Sequence, residues 1–420
     1  MRLASSLLLA ALACASPTHG AKSHLELGAE ARAAQARRDF AAAQSAAQAA
    51  LALRPDSPRY LHQLADLAAL TGDAPAALRY LHRLADLGVD RPIERDPDLA
   101  LLQGTPPFLQ VLQRFEANRA PQGEAEVLAE FPAFGGILEG LAVHPRTREL
   151  FLGDVHGRCI WRCDRAGPPT RFSAEDEELL GIFGLAIDEP RNSLWAAMSA
   201  VPEMAGFTAD LRGTAGLAEF NLATSELRRV VPVPPDGRDH GLGDLLVDDD
   251  GTVYATDAKA PVIWKLARGA EELEILVDSP AFSSLQGLVR WRRELIVADY
   301  SNGLFAVDLT TREIRAFAPP AGTTLLGLDG LVAVPDGIVA TQNGIEPQRI
   351  VKISFTPQAA EIAGVSVLAA ALPHLQDLSL IALVDARPTF IASSGWEGFD
   401  PAAALQPAPR TVRLLQVSLP

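Results

Sequence analysis

Glu139-Gly-Leu-Ala-Val143 opens on a polar residue and a glycine and runs into a short apolar strand, and five later stretches follow the same plan. They are Phe183-Gly-Leu-Ala-Ile187, Gly243-Asp-Leu-Leu-Val247, Gln286-Gly-Leu-Val289, Asp329-Gly-Leu-Val332 and, in weaker form, Ile381-Ala-Leu-Val384. A turn and a second strand follow each opening, as in Leu150-Phe-Leu-Gly-Asp154, Val253-Tyr-Ala-Thr-Asp257 and Leu295-Ile-Val-Ala-Asp299. A third strand comes next, as in Val262-Ile-Trp-Lys265. Short apolar runs divided by Gly, Pro and Asp are strand signals. The openings are spaced by 44, 60, 43, 43 and 52 residues, the longer steps being loop insertions. Several short strands at that period predict propeller blades, six of them over residues 121–420. Val127-Leu-Ala-Glu-Phe131 precedes the first blade and is the expected closing strand of the last one.

Working outward, the composition changes near Pro121. Residues 22–119 are rich in Ala, Leu, Arg and Gln and almost lack β-branched residues, whereas the remainder is rich in Val, Ile, Gly, Pro and Asp. The chain of 420 residues carries a formal charge of −15, and segment 22–120 is neutral, so the acidity belongs to the propeller. An acidic chain lacks the clustered Lys and Arg that a phosphate backbone requires, which argues against nucleic acid. The first unit repeats at 34 residues, with Ala43, Ala50 and Pro55 one period before Ala77, Leu84 and Val89. Thr71-Gly72-Asp73 is the turn of the second hairpin, and a helical pair near Asp98–Phe115 ends the stack. Residues 21–120 thus resemble a tetratricopeptide domain, a type that offers a surface to a protein partner.

At the start of the chain, Arg2 and the apolar run Leu7–Cys14 read as a signal peptide over residues 1–20. The protein is therefore expected to be exported, periplasmic or secreted, with lipid anchoring through Cys14 as an alternative. No later stretch has the length of a membrane span. Cys159 and Cys163 fall on one strand, roughly 13 Å apart, too far for a disulfide, and are expected to be buried free thiols.

The Glu139-Gly-Leu and Asp329-Gly-Leu openings, the aspartates that end second strands and Asp248-Asp-Asp-Gly251 resemble the senescence-marker-protein/gluconolactonase family. That group of six-bladed propellers also includes strictosidine-synthase-like and NHL-type proteins. The resemblance implies that the residue opening each inner strand faces the central channel. These slots read Glu139, Phe183, Gly243, Gln286, Asp329 and Ile381. Catalytic members of the family place Glu, Asn, Asn and Asp in four such slots and hold a divalent cation, commonly Ca2+, that polarises a lactone or ester carbonyl. By that resemblance Glu139 and Asp329 would ligate the ion and Gln286 would stand where Asn is expected. Gly243, at the other Asn slot, offers no side chain. Asp244 follows it, but neighbours along a regular strand point to opposite sides.

Phe183, Gly243 and Ile381 are the expected ligand-binding residues of the mouth, together with His156 in a loop at the same end. His240 is the candidate general base. Asp154, Asp257 and Asp299 recur too regularly for a private active site and are expected to cap turns. The loops Ser199–Ala215 and Ser393–Pro409 carry Met204, Phe207, Trp396 and Phe399 and suggest a lid or contact surface. No Gly-x-Ser-x-Gly elbow, phosphate-binding glycine loop or zinc-ligand pair is found, which disfavours serine-hydrolase and nucleotide chemistry. Three functions compete. The first is an exported binding protein taking a small molecule or protein segment at the mouth, with or without a cation. The second is a calcium-dependent lactonase or esterase, and the third is a scaffold whose helical repeats bind a partner.

Overall fold

The computed structural model describes residues 22–164, 167–357, 361–399 and 409–419. The expected signal peptide, with Cys14, lies outside them. Among the described residues no helix is long and apolar enough to cross a membrane.

Five helices come first: α1 (His24–Ala36), α2 (Phe40–Leu53), α3 (Pro58–Leu70), α4 (Ala74–Asp86) and α5 (Pro106–Asn118), with a 3-10 turn at Pro97–Leu102 before the last. Their starts are written in the sequence. The side chains of Ser23, Asp39, Ser57 and Asp73 each accept a backbone N–H of the first helical turn, and Pro58 occupies a first-turn position where no N–H is needed. Ala43, Ala47, Ala50, Ala68 and Ala77 are fully buried, so the helix backbones approach closely. Gly28 is required for the same reason, since a Cβ there would lie 2.7 Å from the Tyr60 ring.

Six antiparallel sheets follow, arranged as six blades in a ring. Their inner strands are Leu138–Val143, Gly181–Asp188, Leu242–Val247, Leu285–Trp291, Leu328–Val334 and Ile381–Val384, and each pairs with the strand after it. The sixth blade closes the ring with a strand from the other end of the domain: Glu126–Phe134 pairs with Arg410–Gln416, Val127 opposite Leu415 and Phe131 opposite Val412. Gln122–Gly123 adds a short fifth strand to the fifth blade. The core is divided into apolar clusters between adjacent blades, as expected for sheets packed face to face. Cys159 is a buried free thiol, and Cys163 is buried with its Sγ 3.9 Å from the Gly167 carbonyl.

One irregularity recurs and decides where side chains point. The inner strands of the first five blades each slip register near their start, between Leu138 and Leu141, Ile182 and Leu185, Leu242 and Leu245, Leu285 and Leu288, and Leu328 and Leu331. A bulge leaves residues outside the ladder and suspends the period-two alternation.

The helical domain sits on the end of the ring where the inner strands begin, over the fourth and fifth blades. His24 Nε2 lies 2.7 Å from Asn302 Oδ1, and Arg54 donates to the same oxygen. Asp56 accepts from the Thr324 hydroxyl and the Leu325 N–H. Arg349 of the fifth blade donates to the carbonyl of Leu87, and Ile345 of the loop before it is buried in the core of the helical domain. One face of the helices is therefore occupied by the propeller itself.

Candidate functional site

The channel mouth opens into a cavity of about 220 Å³ lined by Glu139, Phe183, Gly243, Asp244, Gln286, Asp329, Lys259, Leu380 and Trp396 among others. Five of the six slot residues expected from the sequence thus share one cavity. The bulges place them there: each slot residue sits in a slipped segment at the start of its inner strand, at the ring's narrow centre. Crowding at that centre explains the glycines that follow the slots. A Cβ on Gly140 would come 2.0 Å from the Phe183 carbonyl oxygen, and one on Gly287 would come 2.3 Å from that of Asp329.

In the third blade the order is reversed, with Gly243 in the slot and Asp244 in the glycine position. The sequence reading turns Asp244 away from the mouth on strand alternation. The structure corrects this, because the bulge spanning Leu242–Leu245 lets both neighbours line the cavity. Space for the carboxylate comes from the second blade, where an added Cβ on Gly184 would come 2.5 Å from Asp244 Oδ1.

Three carboxyl groups therefore surround a partly apolar pocket. Desolvation raises Glu139 well above the usual carboxylate range, and the charge of Asp329 adds to it. Desolvation likewise pushes Asp244 up to about 7 and raises Asp329. Hydrogen bonds oppose these rises: Trp396 Nε1 donates to Glu139 Oε2 at 2.5 Å, and Asn343 Nδ2 donates to Asp329 Oδ2 at 2.6 Å. Asn343 Oδ1 is itself buried without a hydrogen-bond partner. The Trp396 ring lies 6.0 Å from that of Phe183, so this pair walls the pocket beside Glu139.

The remaining expected residues lie elsewhere. His240 does not line the cavity. It is 3% exposed, its Nδ1 is 2.7 Å from Asp257, its Nε2 is 3.0 Å from Asp236, and its ring packs edge-on against Trp264. An imidazole held at both nitrogens has no free atom to act as a base, which removes the role expected of it. His156 is held at Nδ1 by the Glu203 carbonyl and packs against Phe399, joining the two long loops rather than facing the pocket. Ile381 is buried between the fifth and sixth blades, and Leu380, one residue earlier, takes its place in the lining. Asp154, Asp257 and Asp299 cap turns as expected, and each also holds the N–H of a residue leading into its blade's inner strand: Ile137, Gly241 and Ser283 respectively. Trp396 and Asn343 were not singled out as partners of the acids, because only the ring brings them there.

The chemistry of the donors fits a hard cation: carboxylates and an amide oxygen are what calcium takes. Glu139, Asp244 and Asp329 do not have ligand atoms all within 4.8 Å of one another, a spacing met among the described residues only at His62, Asp66 and Asp96.

No protein-family model matches the chain, and no curated protein matches it. Among solved structures it is similar to a gluconolactonase from Xanthomonas campestris, at 15% identity and TM-score 0.48, covering 72% of this chain and 93% of that one. It is also similar to a putative gluconolactonase, at 16% identity and TM-score 0.46, covering 70% and 92%. A further similarity is to the PQQ-bound aldose sugar dehydrogenase of Streptomyces coelicolor, at 14% identity and TM-score 0.47, covering 71% and 100%. The six-bladed ring stands on its own strand pairing.

Proposed function

We propose that the mouth binds a divalent cation, calcium by donor type, and a small oxygen-bearing molecule beside it. Glu139, Asp329 and Gln286 would hold the ion with Asp244 as a third anionic donor, and Phe183, Trp396 and Leu380 would cover the apolar part of the ligand. The observation that carries this reading is that the bulge lets Asp244 join Glu139 and Asp329 in lining one cavity, at the blade whose slot residue, Gly243, has no side chain; its Oδ1 also accepts the Leu245 N–H at 2.9 Å. Three desolvated carboxyls in one pocket repel one another when ionised, and a cation relieves that repulsion.

Asp244 also favours a second reading, hydrolysis of a lactone or ester, because a bound cation would polarise the carbonyl of such a ligand. In that case Trp396 orients Glu139, Asn343 orients Asp329, and the aromatic wall excludes water from one side of the ligand. Export through residues 1–20 belongs to the same proposal, and N-terminal sequencing of the mature protein checks it. The binding test is calorimetry with Ca2+ on chelator-stripped protein, followed by aldonolactones and aryl esters with the ion present. Saturable binding of Ca2+ that Asp244→Asn weakens supports the site. No heat with millimolar Ca2+ refutes it, and turnover that Asp329→Asn abolishes decides for hydrolysis.

A further inference from the structure

A second cluster of ligand-type side chains lies in the helical domain, away from the residues of the mouth. His62 and Asp66 are one turn apart on the same face of α3. Asp96 stands before the 3-10 turn, where its Oδ1 accepts the Asp98 N–H at 2.9 Å and so fixes the carboxylate, leaving Oδ2 toward His62. His62 Nε2 is 3.4 Å from Asp96 Oδ2 and 3.6 Å from Asp66 Oδ1, and one ligand atom from each residue lies within 4.8 Å of the others.

Two features of the geometry suit a bound ion. The His62 Nε2 and Asp66 Oδ1 atoms are shielded from water, and their only polar neighbours in the cluster are one another and Asp96 Oδ2, at 3.4–3.6 Å from Nε2, where none completes a well-formed hydrogen bond. The two separations from His62 Nε2 are also those of neighbouring ligands on one ion, since bonds of 2.0–2.2 Å in a tetrahedron place ligand atoms about 3.3–3.6 Å apart.

We propose that His62 Nε2, Asp66 Oδ1 and Asp96 Oδ2 form a binding site for a zinc-class divalent transition metal, with the fourth position left to water. The imidazole and the short spacing suit zinc and disfavour calcium, which takes oxygen ligands at longer distances. The ion joins α3 to the segment ahead of the 3-10 turn and so fastens the helical domain.

The test uses the full chain, free of any affinity tag, stripped with a chelator and carrying Glu139→Gln and Asp329→Asn so that the mouth is disabled. Expected is uptake of one equivalent of Zn2+ with a rise in melting temperature, a tetrahedral visible absorption band on Co2+ loading, and no comparable rise with Ca2+. His62→Ala should abolish all three signals, and Asp66→Asn, which keeps the shape of the side chain, should weaken Zn2+ binding at least tenfold even if His62→Ala does not fold. Uptake only at millimolar Zn2+, no saturable uptake, or uptake that Asp66→Asn leaves unchanged overturns the proposal.

Discussion

At the mouth, Glu139, Asp244 and Asp329 arrive from three different blades and meet because the ring closes and its inner strands bulge. In the helical domain, His62 and Asp66 share one helix, and Asp96 is brought in by the segment that follows α4. The first group is all oxygen, wide and walled by aromatic rings. The second contains an imidazole and is narrow. The difference shows how architecture selects chemistry: a propeller centre collects like groups at a radius set by strand packing, and a helix turn sets ligands at a fixed short spacing.

The two regions are joined through the loop 343–348, which carries both Asn343, the partner of Asp329, and Ile345, buried in the helical core. Ile345→Ala should have the largest effect. A fully buried isoleucine cut to alanine costs about 2–5 kcal/mol, and the loss should appear in denaturant unfolding as earlier release of the helical domain. If the two regions still unfold together and Ca2+ binding at the mouth is unaltered, the loop does not couple them.

A smaller effect separates the regions by pH. In the metal-free protein burial keeps Asp244 protonated up to about 7, against 3.8 for the exposed group. Below the lower value both folded and unfolded states are protonated and the fold keeps its full stability. As pH rises through the folded value the unfolded chain gains from ionisation and stability is lost. Asp244→Asn removes this slope and should stabilise the metal-free protein by up to about 4 kcal/mol at pH 8, with little gain at pH 4. Equal gains at both values would show that the carboxyl is not desolvated in the fold.

The smallest effect sharpens the comparison by adding a donor. Gly243 has no positive φ, and a Cβ there would meet Gln286 Oε1 at 3.6 Å, an ordinary contact. Gly243→Asn should therefore fold normally and tighten Ca2+ binding roughly tenfold, or ~1.4 kcal/mol, without affecting Zn2+ uptake. Unchanged Ca2+ affinity would place the ion away from the third blade.

The ring was legible because each blade repeats one local pattern, and the closing strand could be picked out since Val127–Phe131 alternates and has no blade of its own. The positions of Glu139, Gln286 and Asp329 followed from the same alignment. What period-two reasoning could not see was the bulge, so Asp244 was turned the wrong way. The exchange of Gly-Asp for the usual residue-Gly order at 243–244 was the available signal. His240 misled because no spacing rule reveals that Asp257 and Asp236 hold both its nitrogens. The shift from Ile381 to Leu380 reflects the shorter inner strand of the sixth blade, which has little pattern to anchor its register. The His62–Asp66 pair escaped because its spacing becomes meaningful only with Asp96 beside it, and that depends on how the helices stack.

Sensitised terbium luminescence tests the central claim most directly, since Trp396 donates to Glu139 and would stand next to an ion in the mouth. Excitation of tryptophan in stripped protein with Tb3+ should give strong terbium emission that Ca2+ competes away and that Trp396→Phe and Glu139→Gln each remove. Absence of emission from the wild-type chain, or emission that survives both substitutions, would contradict a cation site built by the bulged inner strands.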